Sequence, residues 1–490
     1  MMKNKTVSTK AKELKGIFLS AETAFSSFSK ISINKRIQLL TNLQKVITEK
    51  QNEIAARIHA QTGKNETEAL LTEVLPTLAF IKDYRRNLPK YLKTDKVAIP
   101  FAFFGIKART ELRPSGVALI ISPWNFPFYL AIIPLITAVS AGNTAILKPS
   151  EVSPDIGTLC AELFARAGFP KNTVQIAYGK GDVANSLIYM KPSRIFFTGS
   201  TAVGRLIAKA AGELIIPCLL ELGGKSPMLV FADCNLERAA NAAVFGAFCN
   251  AGQVCVAASR IYVADKIYDD FVAKVLAKAL ALPKEDLGKI VLPQHISYLE
   301  SLIADALKKG AKQLCGHLST KSFSPIILAD TKENMQIMQA ETFGPVMAIT
   351  RFSGKSKDAL ALANNSDYGL SASVFTKNRQ KAARITAGLN AGNININDVI
   401  QSVGIPSLPF GGIKQSGIGR YHGKRGLEFF SDEISIASSF QLFPSAMTWL
   451  PYGSVLKKHL RNITCGLYGN GSKLTLVKSA IALFLRNFRE

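Results

Sequence analysis

A chain of 490 residues is longer than one hydrophobic core organises, so two or three domains are expected. Hydrophobic residues at 48% and charged residues at 19% exclude a disordered or fibrous protein. Lys and Arg outnumber Asp and Glu by 60 to 35, and the net charge of +25 suits a phosphorylated cofactor or an acidic lipid surface, unless it reflects only a lysine-rich composition.

Met1 to Lys15 is polar and basic with no apolar run behind it, so no cleaved leader is expected. The first hundred residues read as helical, with Leu39, Leu43, Val46, Ile47 and Ile54 on one face and lysines opposite. Ser115 to Leu147 carries no charge and would pass for a membrane span by hydropathy alone. Pro123, Pro127 and Pro134 break a single helix there, and Trp124-Asn125 sets polar groups mid-run. A buried strand, a tight turn and a buried helix are expected instead.

From residue 116 short β-rich runs alternate with helical stretches: Gly116–Ser122, Thr144–Lys148, Val174–Tyr178 and Ile195–Thr198. A second series begins near residue 216, with Pro227–Phe231, Ile261–Ala264, Ile326–Leu328, Val346–Phe352 and Ala372–Phe375 as strands. Leu236–Asn250 and Asn378–Leu389 are helical segments among them. This pattern predicts an α/β fold of two consecutive Rossmann-like parallel-sheet domains with a ligand cleft between them. Gly404–Gly419, rich in Gly and Pro, reads as a long functional loop rather than a strand.

The seven cysteines include no C-x-x-C pair, which argues against a disulfide framework or a zinc site and points to a reducing, cytoplasmic compartment. Five scattered histidines give no metal-ligand spacing, so no catalytic metal is expected. No Lys/Arg run interleaved with aromatics occurs, so no nucleic-acid partner is expected.

Two motifs carry chemistry. In Asn250-Ala-Gly-Gln-Val-Cys255 a cysteine follows a glycine-containing turn that leaves its sulfur uncrowded; the other six cysteines read as small buried hydrophobes. In Glu221-Leu-Gly-Gly-Lys-Ser-Pro227 a carboxylate ends the apolar run Ile215–Leu220 beside paired glycines. Desolvation there raises its pKa and suits it to act as a base; an ion pair with Lys225 is the plainer alternative.

Together these motifs resemble the signature of the aldehyde dehydrogenase superfamily, and the spacing of Glu221 and Cys255 matches that family's. Pro123-Trp-Asn-Phe-Pro127, Leu147-Lys-Pro-Ser-Glu151, Phe197-Thr-Gly-Ser200, Glu341-Thr-Phe-Gly-Pro345 and Leu408-Pro-Phe-Gly-Gly412 follow in the family's order. The short N-terminal arm, Asn397-Asp398 and Tyr421-His-Gly-Lys424 resemble the class 3 branch, which includes fatty aldehyde dehydrogenases.

The resemblance implies that Cys255 attacks an aldehyde carbonyl to give a thiohemiacetal, which loses hydride to nicotinamide and leaves a thioester. A free thiol titrates near about 8.5, so local lowering or a base is needed. Asn125 and the Cys255 backbone N–H are the implied oxyanion donors, and losing one such donor typically costs about 2.7–4 kcal/mol of barrier. Glu221 is the implied base for the hydrolytic water. The expected cofactor is NAD, with NADP tolerated, and the expected substrate a medium- or long-chain, polyene or aromatic aldehyde.

For the cofactor, the resemblance implies Lys148, Ser150 and Glu151 at the adenosine ribose. In Gly199-Ser-Thr-Ala-Val-Gly204 it places Gly199, Ser200 and Gly204 where a helix start meets the pyrophosphate. Glu341 and Phe343 match residues at the nicotinamide ribose and ring, and Trp124, Gly181 and Leu222 complete the implied contacts. Phe410 is expected to wall the nicotinamide end or substrate tunnel, and His422 to pack.

The expected domains are 1–220 for NAD(P) binding, with roughly 90–115 in a bridging element, 221–400 for the nucleophile, 401–440 for a loop and bridging segment, and 441–490 for a tail. In that tail Lys457, Lys458, Arg461, Lys473, Lys478, Arg486 and Arg489 face one acid, Glu490. Leu474, Val477, Ile481, Phe484, Leu485 and Phe488 fall on one stripe, predicting a basic amphipathic helix. It packs on the body or a partner subunit, or lies peripherally on the anionic inner face of a membrane through 451–490; it is too short and charged to span one. The resemblance implies a homodimer. Two alternatives to hydrolytic oxidation stand: a CoA-acylating or acyl-thioester-reducing enzyme, many of which lack the glutamate, and a non-catalytic scaffold, against which the intact Cys255, Glu221 and Asn125 argue.

Overall fold

The computed structural model describes residues 8–100, 103, 105–319, 322–439, 449 and 452–486, with side chains to 483. They fall into two compact units, Met1–Lys93 with Leu112–Glu433 and Thr94–Glu111 with Ile434–Glu490.

The first unit opens with helices Ala11–Phe28, Ile33–Glu49, Gln51–Thr62 and Leu75–Tyr91. The apolar face read at Leu39, Leu43, Ile47 and Ile54 is buried, but it is shared by two helices that meet at Lys50. Between the third and last helices lie a short helix, Glu66–Ala69, and a π-helical turn, Leu70–Val74.

Two sheets follow. The six-stranded sheet has the order Gly417–Ile418, Cys218–Glu221, Arg194–Thr198, Val117–Ile121, Thr144–Lys148, Val174–Ile176, parallel except for its first strand. Val117–Ile121 and Thr144–Lys148 are buried at every residue, as strands covered on both faces must be. All of helix Tyr129–Ala141 is buried as well, so its apolar circumference belongs to the core. This helix runs through Pro134, where a break was expected; the proline removes one backbone donor without ending it.

The seven-stranded sheet runs Lys312–Cys315, Ile326–Ala329, Val346–Phe352, Ala258–Ala264, Ser226–Val230, Ser371–Phe375, Asn393–Ile396, antiparallel only at its first pair. The stretch expected to be all loop contains two short strands. Ile413–Lys414 pairs with Tyr368–Gly369, and Gly417–Ile418 with Cys218–Glu221. Gly417, at φ 148°, allows this, because a Cβ there would lie 2.1 Å from the Leu220 carbonyl oxygen.

The second unit holds the strand Asp95–Val97, most of the strands Ile106–Pro114 and Ser431–Ser439, hydrogen-bonded in that order, and two helices, Ser454–Tyr468 and Lys473–Arg486. The tail is therefore a hairpin rather than the single helix expected, broken around Gly469 and Gly471. Its seam is Leu456, Ile463, Ser479 and Leu483, with Gly466 giving Leu476 room to approach. Leu474, Val477 and Ile481 of the expected stripe point away from that seam and are exposed. The side chains of Phe484, Leu485 and Phe488 lie outside the described residues. Among the described residues no helix is long and apolar enough to cross a membrane.

Candidate active site

Strand order reverses around Val117–Ile121: the next strand in sequence lies on one side of it and Arg194–Thr198 on the other. Ligands of open α/β sheets bind outside the carboxyl ends at such a point. Here those ends lead into Ser122–Asn125 and Gly199–Ser200, and both segments line a cavity of about 960 Å³.

Cys255 reaches the same cavity through a strained loop. After helix Leu236–Phe248 the chain takes three consecutive left-handed residues, Asn250 (φ 50°), Ala251 (φ 55°) and Gly252 (φ 69°). Left-handed non-glycine residues cost about 1–3 kcal/mol each, and surrounding contacts must hold them. The Asn250 side chain supplies some, donating to the carbonyls of Asn125 (2.8 Å) and Gln253 (3.3 Å). Gln253 in turn donates to Lys289 O (2.9 Å) and accepts from Val291 N–H (2.9 Å). At Gly252 a Cβ would sit 2.1 Å from Gly344 O, so the glycine lets the cysteine loop close on the segment that follows Glu341 and Phe343.

Glu221 ends the strand Cys218–Glu221 and lines the cavity with Cys255 and Asn125. It is 4% exposed, and neither carboxyl oxygen has a hydrogen-bond partner. Burial pushes its pKa well above the ordinary carboxylate value, opposed by Arg420. The alternative pairing with Lys225 is absent, since the Lys225 ammonium instead donates to Thr342 Oγ1. Burial, then Glu341, then Glu221, push the Cys255 thiol up to about 12, so of the two expected routes to a thiolate, local lowering or a base, the first is not provided. Cys255 is partly exposed; of the other cysteines Cys160 and Cys234 are buried, Cys218, Cys249 and Cys315 are half-buried against the hydrophobic cores, and only Cys465 is exposed, against the expectation for it. Asn125, 3% exposed, donates one side-chain N–H to Gln253 O at 3.0 Å.

Lys148, Ser150, Glu151, Gly181, Gly199, Ser200, Leu222, Glu341, Phe343 and Trp124 all line this cavity. Lys148 and Glu151 form an ion pair at 3.2 Å, leaving Glu151 the more exposed partner. Ser200 caps helix Thr201–Glu213, so the cavity meets free N–H groups of a helix start. Trp124 and Phe343 meet edge to face with centroids 5.5 Å apart. Glu341 accepts from Gly224 N–H at 3.1 Å, and burial pushes its carboxyl up to about 7. A Cβ on Gly223 would lie 2.3 Å from that carboxyl, so the paired glycines make the approach possible.

Gly204 is not in the lining. It lies behind it, where a Cβ would be 2.4 Å from Leu222 Cδ2, so it seats a cavity-lining leucine. Phe410 also stands outside the lining, buried among Tyr421 and His422. His422 packs within an aromatic cluster, and burial lowers its pKa to about 3. Lys209 and Glu213, also on the cavity, and the buried pair Lys64 and Glu73 beside Asn125 stand in no motif that marks them in the sequence. Helical periodicity marks apolar faces and leaves an ion pair beneath one unannounced.

A family model described as the aldehyde dehydrogenase family matches residues 4–436. A 4,4'-diapolycopene aldehyde oxidase of a Methylomonas species is 40% identical over 91% of this chain and 85% of its own. A 4,4'-diaponeurosporen-aldehyde dehydrogenase of Staphylococcus aureus is 33% identical over 90% of this chain and 97% of its own. Among solved structures, the substrate-bound state of Staphylococcus aureus AldH superposes with a TM-score of 0.84 at 32% identity, covering 91% of this chain and 98% of that one. By that match and these identities, the chain belongs to the aldehyde dehydrogenase family.

Proposed function

We propose that this protein oxidises an apolar aldehyde to its carboxylic acid through a thioester on Cys255. The observation that carries this reading is the convergence of Cys255, Glu221 and Asn125 on one cavity. In it, Cys255 Sγ bonds to the aldehyde carbon as its proton passes to solvent water and the carbonyl π electrons move to oxygen. The Asn125 amide and the Cys255 N–H receive the oxygen as it gains charge. A bound nicotinamide dinucleotide supplies the acceptor for the hydride that leaves this carbon. Glu221 then takes a proton from water as its oxygen adds to the thioester carbon; the C–S bond breaks, the proton passes from Glu221 to the departing sulfur, and the carboxylic acid is released.

The cavity suits such a dinucleotide. It offers a helix N-terminus for a pyrophosphate, a carboxylate at Glu151 for ribose hydroxyls, and the edge-to-face pair Trp124 and Phe343 on the wall it shares with Cys255. Structures of family members with NAD+ bound, such as that of Mycobacterium tuberculosis aldehyde dehydrogenase (TM-score 0.82, 30% identity), and a rat relative named as NADP-preferring support use of either cofactor. Residues 1–220 would hold it and 221–400 supply the nucleophile.

Two relatives named for diapolycopene and diaponeurosporen aldehydes favour a long polyene substrate within the medium- or long-chain, polyene or aromatic range. Glu221, buried with no partner on either oxygen, favours hydrolysis over acyl transfer to a second thiol. The rat relative is named dimeric, which supports a homodimer here. The exposed apolar face of the tail hairpin, flanked by lysines, supports peripheral contact with an anionic membrane.

The test is a panel of aldehydes with NAD or NADP, with and without CoA, followed by absorbance of the reduced cofactor. Turnover without CoA that disappears in Cys255→Ala is expected. Equal turnover in the two proteins overturns the assignment, and a strict need for CoA moves the protein to the acylating class.

A further inference from the structure

Asn125 is held by more than the cysteine loop. Its backbone carbonyl accepts from Asn250 Nδ2 at 2.8 Å and also from Lys64 Nζ at 3.2 Å. Lys64 lies just after helix Gln51–Thr62, and its side chain is fully buried. Glu73 Oε1 lies 2.5 Å from the same ammonium, equally buried. The second Glu73 oxygen accepts from Phe128 N–H (2.9 Å) and Tyr129 N–H (3.1 Å), at the start of the buried helix Tyr129–Ala141. Between these contacts, the ammonium stands 3.8 Å from the centre of the Phe126 ring. One ion pair therefore touches residues 125, 126, 128 and 129.

Stability alone gives a weak account of such a pair. Removing two charges from water costs several kcal/mol per ion, and apolar replacements of buried pairs are often neutral or stabilising, by about 1–4 kcal/mol. What an apolar pair lacks is direction: a donor aimed at one carbonyl and an acceptor aimed at two N–H groups. Glu73 is carried by the π-helical turn Leu70–Val74, and such turns inside helices are frequent at functional sites.

We propose that Lys64 and Glu73 are positioning residues for the oxyanion donor, fixing the Asn125 peptide so that its side-chain amide faces the carbonyl oxygen at Cys255. One hydrogen of that amide is donated to Gln253 O, and the second is then aimed by the turn that the ion pair clamps. The ground-state aldehyde gains little from this aim; the oxyanion gains much. This inference rests on the thioester reading above, and it predicts a loss in kcat rather than in KM.

The test compares wild type, Cys255→Ala and the double variant Lys64→Met/Glu73→Gln, which removes both charges and keeps an acceptor for the 128 and 129 N–H groups. A cooperative melt, unchanged cofactor affinity by tryptophan quenching and unchanged alkylation of Cys255 establish an intact site. With those met, kcat is expected to fall about ten- to hundredfold while KM for the aldehyde stays within about twofold, in line with partial loss of one oxyanion donor. A kcat within about twofold of wild type overturns the proposal, since a purely structural pair would leave it there. If this variant does not fold, Lys64→Gln/Glu73→Gln replaces it: its amide donor should leave kcat low but measurable, and wild-type kcat again contradicts. If neither variant folds, the pair is a folding element and the positioning role is wrong. An inactive wild type, or an active Cys255→Ala, would instead remove the thioester reading itself.

Discussion

Burial, with Glu341 and Glu221 close by, pushes the Cys255 thiol up to about 12, so near neutral pH it rests protonated. The thiolate fraction then rises about tenfold with each pH unit, and alkylation by iodoacetamide should climb with that slope between pH 8 and 10, where Glu341 is already ionised. Glu341 itself titrates near about 7, so at pH 8 it bears the charge that opposes the thiolate. Replacing it by Gln removes that charge and makes the thiol more acidic. Glu341→Gln should therefore react faster than wild type at pH 8, a comparison made by timed alkylation and peptide mass spectrometry. An equal rate would show that Glu341 does not act on the sulfur. Glu221 and Cys255 were legible as a pair because each stands in a glycine-rich motif of recognisable spacing. Lys64 and Glu73 were not, because nothing in their spacing separates a buried ion pair from two solvated helix charges.

At the scale of elements, legibility followed burial. Val117–Ile121 and Thr144–Lys148 are unbroken apolar runs buried on both faces, and their sequences say so. Lys312–Cys315 is an edge strand with two exposed residues, and Asn393–Ile396 alternates asparagine with isoleucine, so neither was read as a strand. Gly417–Ile418 is too short to show any period. The cysteine loop depends on a backbone shape that spacing does not encode. In Gly252→Ala a methyl group would meet Gly344 O at 2.1 Å in a left-handed conformation. We expect this variant to lose most activity and about 2 kcal/mol or more of stability, checked by denaturant melts beside turnover. A fully active, equally stable variant would mean that the loop tolerates another path.

At the scale of the whole molecule the tail tests how composition becomes behaviour. From Gly453 to Leu483 there are five Lys or Arg residues and no Asp or Glu. The amphipathic pattern was legible; its division into a hairpin was not, because the seam is made partly of Gly466 and Ser479 rather than large apolar side chains. Leu474, Val477 and Ile481 remain 65%, 49% and 53% exposed, which leaves an apolar face between Lys473 and Lys478. Full-length protein should sediment with vesicles containing anionic lipid and release as salt rises. Replacing all three apolar residues by serine should weaken that binding without lowering turnover of a water-soluble aldehyde. Unchanged binding would take the membrane role away from this face.

Acyl trapping in Glu221→Gln, which removes the proposed hydrolytic base, reaches the chemistry itself. Incubated with aldehyde and oxidised dinucleotide, this variant should accumulate a covalent adduct on the peptide containing Cys255, heavier by the mass of the aldehyde less two hydrogens. Cys255→Ser/Glu221→Gln should carry none. Steady turnover by Glu221→Gln with no adduct at Cys255, or an adduct on another cysteine, would contradict the mechanism.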